Sequence, residues 1–203
     1  MNGLNHHIIA YIAAHPDWAI LVVGVSAFGE SLAIVSLFFP GTAVLIAAGA
    51  LVQAGALDPV SVVFAASFGA ISGDAISYWI GQRFGAVIPR MWPFRIRPGI
   101  IAGGIAFFRR YGWASVFIGR FFGPVRAVVP LIAGMMAMPV RPFYVANCLS
   151  AIVWAPALLL SGILLGGTLS TGWTIEDRLF VIALAIAFLA VLGYWLRRFF
   201  HVS

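Results

Sequence analysis

The sequence has no lysine, a single cysteine and very little charge. Acidic and basic residues make up 9% of its 203 residues, and only six are acidic. A soluble domain carries about 25% charged and about 45–50% apolar residues, whereas 63% of this chain is hydrophobic and its mean hydropathy is +1.05. A chain of this length has too little interior to hide that surplus from water, which excludes a soluble enzyme. The lone Cys148 excludes an internal disulfide. Histidine is confined to His6, His7, His15 and His201 near the ends, so a metal or catalytic cluster would need distant pieces to meet, and no cofactor is expected. No Lys or Arg precedes the first apolar stretch, which fits poorly with a cleaved signal peptide. The composition describes one integral membrane domain over residues 1–203.

The positive charge is all arginine, twelve residues giving a net +6. Most lie beside apolar segments and not in one soluble patch, so anionic lipid headgroups are better partners than nucleic acid. Arg83, Arg90, Arg95, Arg97, Arg109 and Arg110 share one loop, and Arg197 and Arg198 follow the last apolar stretch. The 168–177 loop carries Glu176 and Asp177 but no arginine. The positive-inside rule makes the 83–112 loop and the C-terminus cytoplasmic in a multi-pass protein.

A spanning helix needs about 20 apolar residues. Residues 142–167, 178–197 and 59–82, the last with Asp74 inside it, meet that length, while 17–29 spans only partly or by tilting. Two regions do not read as straight helices. Residues 31–57 carry Pro40-Gly41, and residues 113–138 carry Gly123-Pro124, then Pro130 and Gly134. Proline removes a backbone donor and glycine lets the chain turn. Re-entrant hairpins and kinked spanning helices both fit these patterns, and irregular backbone is tolerated in lipid only where protein or a cavity covers it.

Internal symmetry favours the hairpins. Gly29-Glu30 with Pro40 is matched by Gly119-Arg120 with Pro130, and AGAL at 48–51 is echoed by AGMM at 133–136. Gly81 and Gly85 close the helix after the first broken region, Gly162 and Gly166 the helix after the second. Paired Gly/Pro-interrupted segments point to a transporter-type midplane site. The expected fold is an all-α polytopic membrane protein: an inverted repeat with two re-entrant helical hairpins, the first opening outward and the second inward, plus spanning helices.

Buried charge carries the chemical signal. Glu30, Asp74, Arg120 and Arg126 lie within or against apolar segments, where each costs about 2.5–3.5 kcal/mol on insertion scales. Two readings are compatible: internal ion pairs locking the repeats, or a cavity where two arginines hold an anion while the acids exchange protons. Arg120 and Arg126 would stand about 120° apart on an ideal helix, and the Gly123-Pro124 break lets them converge. Arginine stays charged when buried and offers phosphate a planar fork. Asp74 and Tyr78 share a helix face, so the tyrosine either hydrogen-bonds the carboxylate or contacts substrate. Asn147 reads as satisfying broken hairpin backbone. Met135, Met136 and Met138 read as packing, and Trp92, Trp173 and Trp195 as interfacial belts.

The stretch GRFFGPVRAVVPLIAGMMAM, followed by Phe143, Asn147, Ala151 and Trp154, resembles the signature of the DedA family in the SNARE-associated, or VTT-domain, superfamily. Glu30, FFPG at 38–41, AGAL at 48–51 and GAISGDAISYWIGQRFG at 69–85 extend the resemblance over roughly residues 25–167. It implies a bacterial inner-membrane protein that moves undecaprenyl phosphate, or another phospholipid, between leaflets with dependence on proton motive force. By position, Glu30 matches the family's membrane acid, and Arg120 and Arg126 its paired arginines. Two positions depart from the pattern: Thr42 stands where relatives often carry an acid, and Ser150 where they usually have glycine.

These readings converge on a transporter and not an enzyme. Arg120 and Arg126 are the expected binding groups for the lipid phosphate, and Glu30 and Asp74 the proton-coupling acids. Pro40, Gly41, Thr42, Gly123, Pro124, Pro130, Gly134, Tyr78, Asn147 and Trp154 would shape the site, with no metal. The expected partners are membrane lipids, polyprenyl phosphate and protons, and a homo-oligomer is left open. A proton-coupled antiporter for small cations using Glu30 and Asp74 is the alternative. An intramembrane lipid phosphatase is a third reading, disfavoured because no histidine lies between His15 and His201.

Overall fold

A computed structural model describes residues 12, 14–33, 35–37, 41–92, 94–96, 98–122 and 125–169. Pro40, Gly123, Pro124 and the expected 178–197 helix lie outside the described residues. Seven α-helices and no strand occur among those described. They are α1 (Pro16–Ser31), α2 (Gly41–Gln53), α3 (Pro59–Phe84), α4 (Pro98–Tyr111), α5 (Ala114–Gly119), α6 (Val125–Met135) and α7 (Val140–Leu169), with 3₁₀ turns at Val35–Leu37 and Ile88–Arg90.

Only α3 and α7 are long and apolar enough to cross a membrane among these helices. Their 26 and 30 residues reach about 39 and 45 Å at about 1.5 Å per residue, more than the roughly 30 Å of a hydrocarbon core. By the same rise α2 and α6, with 13 and 11 residues, extend about 20 and 17 Å. Asp58 caps α3: its carboxylate accepts the Ser61 backbone N–H and hydroxyl, each at 2.7 Å, and Pro59 occupies the first helical position. These capping bonds hold Asp58 below its usual carboxylate pKa, the Ser61 hydroxyl contributing most.

The burial pattern is that of a protein surrounded by hydrocarbon. Trp18, Leu21, Val22 and Val25 of α1, Val60, Phe64 and Phe68 of α3, and Leu149, Ile152, Val153 and Leu160 of α7 are exposed. Ser26, Glu30, Ser31, Ser67, Asp74, Ser77, Ser115, Arg120, Asn147 and Ser150 are buried. Large apolar side chains cover the exterior while an apolar core encloses these polar and charged groups, which departs from the soluble arrangement.

The helices pack crosswise. α1 lies against α3 and α5 against α7, but α2 lies against α7 and α6 against α3. Small residues mark both crossings, as membrane helix interfaces favour. A Cβ on Gly81 would meet the Leu131 carbonyl and the Met135 backbone, and one on Gly134 would meet the Tyr78 carbonyl and Gly81 itself. At the other crossing, a Cβ on Gly49 would meet Leu159 and Gly162, and one on Gly162 would meet Ile46 and Gly49. The ends of α2 and α6 also correspond. Gly55 and Ala137 are left-handed (φ 74° and 53°), and the next residue's N–H bonds five residues back, Ala56 to Leu51 and Met138 to Ala133. This is the Schellman closure.

Several boundaries differ from the sequence expectation. The 17–29 stretch forms most of α1, whose 16 residues end at Ser31, before the first break. That break begins at Leu32, because Ser77 of α3 donates to the Ser31 carbonyl at 3.1 Å and accepts the Ala33 N–H at 3.2 Å. Pro130 is not a break. It sits inside α6, where its missing N–H leaves only the Arg126 carbonyl without a helical partner. Gly134 likewise does not interrupt α6 but admits α3. The arginine-rich 83–112 loop contains α4, whose Ile101 and Gly104 are buried while Arg109 and Arg110 are exposed.

Candidate functional site

The four charges foreseen in the apolar segments meet in pairs. Glu30 is in the last turn of α1 and Arg126 in the first turn of α6. Arg120 immediately follows α5, and Asp74 lies midway along α3. Arg126 Nη2 stands 2.7 Å from Glu30 Oε1, and Arg120 Nη2 is bonded to Asp74 Oδ2. Two cations and two anions leave the cluster neutral. That neutrality is required here, since the side chains are only 5–12% exposed and an uncompensated buried charge costs several kcal/mol.

α7 supplies the neutral partners. Asn147, Ser150 and Trp154 are spaced by three and four residues, which puts them on one helix face. Arg120 donates from Nε to Ser150 Oγ at 2.8 Å and from Nη2 to Asn147 Oδ1 at 2.5 Å. Asn147 Nδ2 donates to the Ile71 carbonyl at 3.1 Å, and the Ser150 hydroxyl to the Asn147 carbonyl at 2.9 Å. The Trp154 ring lies under both guanidinium groups, with Cζ of Arg126 at 5.0 Å and of Arg120 at 5.8 Å from the ring centre. Both distances suit cation–π attraction.

The Glu30 side is built differently. Thr42, at the start of α2, donates its hydroxyl to Glu30 Oε1. Glu30 Oε2 and Arg126 Nη2 make no aligned hydrogen bond among the described residues. Gly41 has to be glycine, since a Cβ there would stand 2.5 Å from Glu30 Oε2 and 2.8 Å from the Ser26 carbonyl.

Glu30, Gly41, Thr42, Asp74, Arg120, Arg126, Asn147 and Trp154 are therefore assembled in one place. Tyr78 is not among them. Its hydroxyl donates to the Met138 carbonyl and accepts from Gln82 Nε2 at 2.7 Å, and its ring stacks on Phe143 at 4.0 Å. Its hydroxyl and ring are engaged with the α6–α7 connection and with Phe143 of α7, not with the Asp74 carboxylate. Asn147 serves Arg120 and an α3 carbonyl, and the broken backbone after α1 is satisfied by Ser77 instead. Sequence reading missed Ser77 and treated Ser150 only as a departure. Their one signal is a hydroxyl at a helical position three or four residues from another buried polar group.

The VTT domain family matches residues 39–164, more than half of the chain. The chain belongs to the DedA family. Over 198 residues it is 32% identical to the inner membrane protein YabI of Escherichia coli K12, covering 97% of this chain and 76% of YabI. An uncharacterized membrane protein of Mycobacterium tuberculosis H37Rv is 35% identical over 181 residues, 86% of this chain and 80% of that protein. Protein DedA of E. coli K12 is 27% identical over 194 residues, 93% and 86% respectively. No solved structure is a significant match. Membership in the DedA family and the apolar exterior together make this a membrane protein.

Proposed function

We propose that this DedA-family protein is a transporter, not an enzyme, that moves a lipid phosphate, foremost undecaprenyl phosphate, between leaflets of the bacterial inner membrane. The observation that carries the reading is the buried neutral cluster of Glu30, Asp74, Arg120 and Arg126. Arginine forks match phosphate oxygens, and the carboxylates that neutralise them at rest are the groups to take up protons when phosphate replaces them.

The architecture proposed for this work is a multi-pass inverted repeat with two re-entrant pairs, α1–α2 and α5–α6. It is supported by the reciprocal glycine crossings and by the two matching helix ends at Gly55 and Ala137. The short lengths of α2 and α6 agree with arms that turn back within the bilayer. Arg83, Arg90, Arg95, Arg109 and Arg110 support a cytoplasmic α3–α5 connection, and Arg197 and Arg198 a cytoplasmic C-terminus. The partners are then polyprenyl phosphate, bulk phospholipid and protons.

The test is reconstitution of the purified protein in vesicles carrying a polyprenyl phosphate, with translocation measured with and without a pH gradient. Transport should rise with the gradient, and Glu30→Gln should abolish that rise. A protein that moves no lipid phosphate under either condition refutes the reading. Normal gradient-driven transport by Glu30→Gln refutes the proton role and leaves passive scrambling.

A further inference from the structure

The two arginines are held in different ways. Arg120 is the more firmly held: three acceptors from two long helices, Asp74, Asn147 and Ser150, take its Nε and Nη2 donors. Those acceptors are themselves tied down, Ser150 to the Asn147 carbonyl and Asn147 to the Ile71 carbonyl. A phosphate oxygen reaching Arg120 Nη2 would have to break bonds to Asp74 of α3 and Asn147 of α7. Arg126 is under-supplied. A guanidinium has five N–H donors in a fixed fork, yet Arg126 faces one carboxylate oxygen at 2.7 Å, out of hydrogen-bond alignment, and the Trp154 ring. That same oxygen also accepts the Thr42 hydroxyl, and the second Glu30 oxygen has no hydrogen bond among the described residues. Arg126 is also the more exposed of the two, 12% against 5%.

We propose that Arg126 alone receives the phosphate oxygens, exchanging Glu30 for them, and that Arg120, Asn147 and Ser150 form a positioning device. The proposal rests on the lipid-phosphate reading above. Arg120 stands six residues before Arg126, so pinning it to α3 and α7 fixes where α6 begins and where the Arg126 fork points. Ser150 supplies the acceptor for Arg120 Nε, which a residue without a side-chain oxygen could not.

The experiment titrates a fluorescently tagged prenyl phosphate in phosphatidylcholine vesicles and measures translocation per folded protein. Arg126→Lys should raise the half-saturating mole fraction by about tenfold, since a point charge does not replace the fork. Arg120→Lys and Ser150→Ala should leave half-saturation within about twofold while lowering the maximal rate about threefold or more. A merely structural role would lower yield without moving the rate per folded molecule. If Arg120→Lys does not fold, Ser150→Ala carries the comparison. Half-saturation raised by Ser150→Ala as much as by Arg126→Lys, neither parameter moved by Ser150→Ala, or half-saturation unmoved by Arg126→Lys would overturn the proposal. A wild-type protein that does not move the probe overturns the transport reading instead, and this division with it.

Discussion

Replacing Gly81 by alanine puts a methyl group where α3 and α6 touch backbone to backbone. The added carbon would stand 3.0 Å from the Leu131 carbonyl carbon and 3.0 Å from the Met135 nitrogen, with the Leu131 oxygen nearer still. Carbon contacts relax to about 3.5–4.0 Å and the nearer Leu131 oxygen demands more, so the helices must part by upwards of about 1 Å, and no flexible side-chain end can yield instead. Overpacking of this kind costs about 1–3 kcal/mol. With rigid backbone on the far side, the upper figure applies. Alanine's better helix propensity returns up to about 1 kcal/mol, leaving a net loss of about 2 kcal/mol. Gly162→Ala, at the reciprocal crossing against Ile46 and Gly49, should lose a similar amount. Gly103→Ala is the control: it lies in α4 with nothing within 4 Å of the new carbon, so it should gain up to about 1 kcal/mol. The spread of about 3 kcal/mol is more than a hundredfold in the unfolding equilibrium, readable by circular dichroism during denaturation in mixed micelles. Equal stability of the three variants would refute the crossing geometry.

The two helix ends should respond with opposite signs: Ala137→Gly relieves a left-handed alanine and stabilises by about 1 kcal/mol, while Gly55→Ala destabilises by about as much; denaturation midpoints check both. Single cysteines at Gln53 and Met136, exposed positions at the far ends of α2 and α6, should react with impermeant thiol reagents from opposite faces in a Cys148→Ala background. Labelling from one face would refute the inverted arrangement. The Asp58 cap titrates below its usual value of 3.8 because it accepts from Ser61. Its stabilisation is present above that pH and is lost as pH falls through the lowered folded value. Amide exchange protection at Ser61 and Val62 should drop there, and Asp58→Asn should abolish that pH dependence.

The long helices are legible because a long, mostly apolar run has only one way to satisfy its backbone in lipid: 59–82 and 142–167 correspond to Pro59–Phe84 and Val140–Leu169. The four buried charges were legible for a related reason, since nothing in an apolar run excuses them. Their pairing was not. Glu30 and Arg126 are separated by 96 positions and Asp74 and Arg120 by 46, and periodicity tells which face a residue occupies but not which helix faces it. Tyr78 illustrates this limit. One turn from Asp74, it still looks to a different neighbour, because α6 crosses at Gly81 and Gly134 just beyond it. The α4 helix was hidden by its arginines, which marked the segment as a loop although its apolar positions fall on one side.

The crosswise contacts also govern the order in which the chain is completed during synthesis. α2 leaves the ribosome roughly a hundred residues ahead of the α7 segment that Gly49 touches, so its small-residue face stays without its final neighbour until the Gly162 region has emerged. α6, by contrast, finds α3 already made. Both halves therefore wait for α7, and a nascent chain halted after α6 presents an unfinished α2 to whatever insertase or quality-control protease surveys the membrane.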